Sequence, residues 1–408
     1  MLTIFTLILV AVSPLAGLYP AGKQLLFGKR KFIDILPMAL ILSLLGLFYV
    51  PIVQVDLTRY FSQLDVVRNM TSFPQFLQSL DLSQQVQISQ QVFFYLMSRL
   101  SWNNLLPFTV VLIVSCIGFY IIKDFGSNLR LNNSFMALCY IAFALMMPWG
   151  QVITNIRYIS SVSIFMFAIY RDLYQGKKGA VTWLLYFVAC TMHIATFVLL
   201  GVRLGLLFIQ LLKSEISQTK RICIYVGLLI VLVFFMQTSI FKMVLSKGLV
   251  YLNGGGEGSG VQQWFAQADS SLGRSLGKHI EMFFLLTQVV IMGIGLTKAA
   301  RSRTAINSSL VGMYSFTMIM MVITLFWTLL AGTTWIRFAF LVDFCAIFII
   351  YAEENYLTDR YLVLVNQTLW IGMFIWSVIW QVYQYVGSEM MTRGDYYNIL
   401  FPFRWLIQ

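Results

Sequence analysis

The 408-residue chain is 59% apolar and only 11% charged, with a mean hydropathy of +0.79, a balance that leaves too little polar surface to cover a water-soluble globule of this size. A net charge of +12 would suit a nucleic-acid partner, but most Lys and Arg fall in short segments between apolar runs, as a membrane topology signal does. The cysteines (Cys116, Cys139, Cys190, Cys223, Cys345) stand singly and there are only two histidines, a pattern that argues against a structural metal centre or a C-x-x-C redox motif.

Continuous apolar runs recur along the whole chain. Each approaches the roughly 20 residues that an α-helix needs to cross a hydrocarbon core. Their continuity, without alternation, selects helices over barrel strands. The expected fold is all-α: a polytopic transmembrane bundle of about 12 spans in a single integral membrane domain, 1–408. In chain order the predicted spans are 2–19, 34–52, 105–122, 134–148, 152–170, 180–193, 194–212, 222–241, 281–297, 309–331, 337–352 and 361–383. The first lacks a basic stretch ahead of it and is followed by GKQLLFGKRK. It therefore reads as a retained span with its N-terminus outside, not a cleaved signal. Short segments holding Lys29, Arg30, Lys31, Lys123, Arg130, Lys177, Lys178, Arg301 and Arg360 then fall in the cytoplasm, and both termini fall outside.

Residues 180–212 fit this scheme only as a short, interrupted pair of helices meeting near His193. A helix over 180–193 rises only about 20 Å, too little to cross alone. Broken helices of this kind are tolerated where protein or a watery cavity surrounds them. Three longer segments fall outside: 53–104, 242–280 and the tail 384–408. The first has apolar residues spaced as in amphipathic interfacial helices. The second contains the glycine-rich NGGGEGSG at 253–260, a linker or a lid.

Ionisable groups inside spans are costly and mark candidate sites. Arg157 lies within the fifth predicted span, Arg203 midway through the seventh, and Arg337 at the start of the eleventh. Arg337 could equally snorkel to the interface. Asp343 follows it by six residues, so the two do not share a helical face. The embedded charges lean outward except for Arg203, for which the sequence offers no account. Asp56 and Arg59 sit just past the second span, either as a surface i,i+3 pair or as functional groups at the water boundary. Arginines facing an external cavity suit a phosphate-bearing substrate, because the planar fork binds phosphate oxygens in pairs and keeps its charge.

Several motifs together resemble the EpsG-type branch of the Wzy polysaccharide polymerases. They are D-x-x-R-Y at 56–60, QQVFFYLMSRL at 90–100, N-x-R at 155–157, T-M-H-I-A at 191–195, W-I-R-F at 335–338 and Y-Y-N-I-L-F-P-F at 396–403. Their order and spacing cover nearly the whole chain, with departures at Ala195 and Phe403. The resemblance implies cofactor-free, metal-independent glycosyl transfer at the outer face of a bacterial cytoplasmic membrane. Donor and acceptor would be undecaprenyl-diphosphate-linked glycans, with membrane lipid, a flippase and a chain-length regulator as further partners and no nucleic acid. In that chemistry Arg157 and Arg337, helped by Arg59 and Arg274, would hold the diphosphate, and Asp56 or His193 would take the acceptor proton. A ligase using the same lipid carrier, or a lipid-linked oligosaccharide flippase, are the alternatives. A flippase should show polar groups on both sides of the midplane.

Overall fold

Long apolar segments with few breakers fold into helices, and the breaks fall where proline, asparagine or a polar cluster interrupts them. A computed structural model describes residues 2–29, 32–51, 56–70, 72–213, 272–301, 308–331, 335–357 and 359–382. All regular structure among them is helical, as expected. The predicted span 222–241, the glycine-rich stretch 253–260 and the tail 384–408 lie outside these residues. The chain divides into two compact units: unit 1 is Met1–Arg171, Lys178–His193 and Ile371–Gln408, and unit 2 is Asp172–Lys177 and Ile194–Trp370.

Unit 1 begins with a correction. The predicted first span, 2–19, is two helices, α1 (Leu2–Val12) and α2 (Pro14–Phe27). Ser13 leaves the helical region at φ −152° and ψ 109°, and its hydroxyl caps Ala16 N–H. Pro14 then opens α2 at the one place where its missing N–H is harmless. The Gln24 amide donates to Thr3 Oγ1 at 3.4 Å, and a Cβ added to Gly17 would fall 2.5 Å from Val10 Cγ2. The two helices therefore fold back antiparallel. Each is about 16–21 Å long, short of a full crossing.

Next come α3 (Leu36–Leu47), then α4 (Asp56–Arg68), α5 (Phe73–Gln78), α6 (Leu82–Val86) and α7 (Ile88–Ser98). The segment predicted as interfacial helices is thus helical. Along α4 the buried residues are Leu57, Tyr60, Leu64 and Val67, one stripe at helical spacing. The long α8 (Leu105–Leu129) is followed by α9 (Asn133–Met146), α10 (Trp149–Thr154), α11 (Ile156–Ile169) and α12 (Ala180–Met192).

Contacts along these helices fix their directions. Asn104 Nδ2 donates to Leu47 O at 2.7 Å, while at the other end Lys123 Nζ lies 3.8 Å from Asp34, so α3 and α8 are antiparallel. On α8, Gly118 and Gly126 let α9 approach: an added Cβ would meet Phe143 and Met136 side chains at 2.0 Å. Tyr120 meets Phe167 at 5.5 Å and Asp124 accepts from Tyr170, which sets α11 parallel to α8. Phe165 meets Tyr186 at 5.0 Å and Arg171 meets Thr182 at 3.4 Å, which sets α12 antiparallel to α11. Unit 1 is therefore an up-and-down layer with a Lys123 end and an Arg157 end.

The helix interruption predicted near His193 is present. His193 takes extended values (φ −152°, ψ 131°) after α12, and α13 (Thr196–Lys213) starts three residues on. Unit 2 holds α13 with α14 (Leu272–Arg301), α15 (Ser308–Ala331), α16 (Trp335–Tyr356) and the first part of α17 (Arg360–Val382), as far as Trp370. The last four match the predicted spans at 281–297, 309–331, 337–352 and 361–383. By length and composition Leu105–Leu129 and Arg360–Ile379 are long and apolar enough to cross a membrane. Shorter apolar helices include Leu36–Leu47, Asn133–Met146 and Ala180–Met192.

Within unit 2, Asp172 follows the end of α11, where the winding widens to a π-type turn over Tyr170–Tyr174. There it accepts from Arg203 Nε at 2.6 Å and from Nη2 at 3.0 Å, with both side chains buried. The charge inside the seventh predicted span is thus met by a bidentate carboxylate.

Candidate functional site

The site forms where α10 gives way to α11. Asn155 holds bridging dihedrals (φ −101°, ψ 48°) that end one helix and start the next, and its amide bonds the Gln151 side chain. This break sets Arg157 in the first turn of α11, half-buried at the Arg157 end of unit 1.

Two helices of the first long predicted loop meet it there. Arg157 Nε donates to Tyr60 Oη at 3.0 Å, and Nη1 donates to Gln90 Oε1 at 3.4 Å. The guanidinium carbon lies 5.2 Å from the Tyr60 ring centre. Tyr60 is 2% exposed and packs on Phe94 with centroids 5.5 Å apart. Gln90 is buried as well. Both acceptors are neutral groups, so neither cancels the charge of the arginine it orients. Among the described residues its Nη2 has no hydrogen-bond partner.

The other candidates of unit 1 surround this contact. Arg59 carries its guanidinium carbon 5.8 Å from the same Tyr60 ring and pairs with Asp56 Oδ1 at 3.0 Å, the two side chains being 58% and 39% exposed. Tyr158, next to Arg157, meets the His193 ring edge-on with centroids 5.3 Å apart. The Ser89 and Thr191 hydroxyls lie 2.6 Å apart, tying α7 to the last turn of α12. Four of the segments that carry the family resemblance, 56–60, 90–100, 155–157 and 191–195, thereby contribute to one neighbourhood. Arg274 and Arg337 belong to unit 2 and are placed by their helices alone, in the first turns of α14 and α16. His279, on α14, is exposed.

The α4–α7 pair is held at its far end by two crossed arginines. Arg68, ending α4, donates to Ser98 O and Leu100 O at 3.1 Å each. Arg99, capping α7, donates to Val67 O at 2.8 Å and Met70 O at 3.1 Å. Each cation thus donates to carbonyls at the other helix's C-terminus, where the dipole also favours it.

Tyr60 and Gln90 are the residues that the sequence alone did not single out. Both lie inside the quoted motifs, but their partnership with Arg157 spans 97 and 67 residues, beyond any local pattern. A guanidinium fixed by neutral acceptors with one amino group open is equipped to bind an oxyanion. No family model, curated protein or solved structure matches this chain.

Proposed function

We propose that this protein polymerises undecaprenyl-diphosphate-linked oligosaccharide repeat units into capsular or exopolysaccharide. The observation that carries the reading is the Arg157 neighbourhood, where four resemblance motifs gather around an arginine that neutral groups orient. The acceptor sugar hydroxyl attacks the anomeric carbon of the donor chain. The bond from that carbon to the diphosphate oxygen breaks, and undecaprenyl diphosphate departs with the electron pair. Arg157 and Arg59 stabilise the departing diphosphate, a role that the motif resemblance also implies for Arg274 and Arg337. The hydroxyl proton goes to Asp56 or His193, the two groups near Arg157 able to take it.

The reading places the protein in the bacterial cytoplasmic membrane as a multi-pass bundle with the Arg157 end outside. About eleven crossings remain once the N-terminal hairpin is not counted as one. The hairpin returns the N-terminus to the side of Lys29 and Lys123, the basic side expected to be cytoplasmic. A flippase would supply the lipid-linked units from the inner leaflet, and a chain-length regulator would act on the product.

Deletion of the gene followed by analysis of undecaprenyl-linked glycans tests the reading. Single repeat units should accumulate on the outer leaflet, with no long chains. Accumulation confined to the inner leaflet would replace the polymerase with a flippase. Arg157→Ala and Arg337→Ala should each abolish polymer at near-normal protein abundance, and full-length polysaccharide from both variants would overturn the assignment.

A further inference from the structure

We propose that Tyr60 and Gln90 are positioning residues that hold the Arg157 guanidinium with its Nη2 side turned to the bound oxyanion. This rests on the reading of Arg157 as the diphosphate arginine and adds how its direction is set. A guanidinium offers two edges to an oxyanion, one made by Nε with Nη2 and one made by Nη1 with Nη2. Tyr60 Oη occupies Nε at 3.0 Å and Gln90 Oε1 occupies Nη1 at 3.4 Å. Nη2 is common to both edges and is the nitrogen left open among the described residues. Nη1 carries two protons and Gln90 takes one, so an oxyanion arriving at Nη2 still finds a second donor beside it.

The two acceptors are themselves fixed. Tyr60 is packed against Phe94 with a centroid separation of 5.5 Å, and Gln90 lies one residue from Ser89, whose hydroxyl is 2.6 Å from that of Thr191. Crossed capping by Arg68 and Arg99 holds the far ends of the same two helices. Arg157 is therefore oriented by a braced pair of helices through neutral groups. A carboxylate in either place would orient it equally well but neutralise it, as Asp172 does for Arg203 within unit 2.

The full-length protein in nanodiscs, with inorganic diphosphate as the probe, provides the test. Tyr60→Phe keeps the ring and removes the acceptor, and should weaken diphosphate binding about tenfold, the scale of one hydrogen bond to a charged group. Arg157→Lys keeps the charge and loses the fork, and should weaken binding at least as much. Adding Tyr60→Phe to Arg157→Lys should change nothing further, because the atom that Tyr60 holds is gone. Gln90→Glu is nearly isosteric and should weaken binding at neutral pH. Its deficit relative to wild type at the same pH should shrink as the pH falls and the carboxyl protonates, while an unchanged melting temperature across that range separates loss of orientation from loss of structure. If Arg157→Lys weakens binding but Tyr60→Phe does not, or if the two losses add, the positioning role is wrong while the diphosphate reading stands. If Arg157→Lys leaves binding unchanged, both fail together.

Discussion

The two ends of the unit 1 helix layer treat a cation in opposite ways. At one end Lys123 is buried, with its ammonium 3.8 Å from Asp34 and donating to Gln24 O at 3.2 Å and Leu25 O at 3.0 Å. At the other end Arg157 is half-buried and, among the described residues, donates to the neutral oxygens of Tyr60 and Gln90. The first arrangement spends the charge on internal partners and fastens α2 and the start of α3 to α8. The second keeps the charge available. A cation thus meets a carboxylate at one end and neutral groups at the other, and under the proposed function the second arrangement is the one suited to recognition.

Removing Lys123 should break this contrast most visibly. Lys123→Met removes the buried ammonium that faces the Asp34 carboxylate and the Gln24 and Leu25 carbonyls and should cost about 3–5 kcal/mol of stability, seen as a lower melting temperature and less monodisperse protein in detergent. Lys123→Met combined with Asp34→Leu should recover most of that loss, because neither charge is then stranded. Arg157→Ala should do the reverse, leaving the melting temperature near wild type while reducing polymer formation about 100-fold or more, which corresponds to some 2.7 kcal/mol or more of transition-state stabilisation. Single-turnover assays with a lipid-linked donor measure this.

Smaller effects sharpen the picture. Gly118→Ala places a methyl group 2.0 Å from Phe143 Cζ, and the resulting repacking between α8 and α9 should cost about 1–3 kcal/mol with little change in turnover per folded molecule. Asp56→Asn removes a solvent-accessible ion pair with Arg59 and should alter stability by less than about 1 kcal/mol. If Asp56 takes the acceptor proton, the rate should nevertheless collapse at unchanged melting temperature. A normal rate for Asp56→Asn, together with a collapse for His193→Gln, moves that role to His193.

The helical class and the interruption at His193 were legible in the sequence, because apolar run length and basic residues leave few ways to thread 180–212. The turn at Ser13–Pro14 was not. The run 2–19 is apolar on both sides of it, and a proline that starts a helix looks the same in sequence as one tolerated within a span. Arg203 had no account because its partner, Asp172, falls between the predicted spans 152–170 and 180–193, where a π-type turn after α11 carries it to the guanidinium. At the candidate site the charged members were legible one at a time. Their neutral partners were not, since Tyr60 and Gln90 acquire their meaning from contacts across 97 and 67 residues.

The crossed capping of α4 and α7 also bears on how the chain comes off the ribosome. Val67 and Met70 carbonyls receive their donor from Arg99, which lies 32 and 29 residues further along. Until that stretch has been synthesised, Val67 O keeps its Met70 N–H donor but both carbonyls lack the guanidinium. The pair must therefore close as a unit after α7 emerges, and it remains without its Arg157 contact until α11 follows. In order of synthesis α4 comes first, α7 next and the Arg157 turn of α11 last.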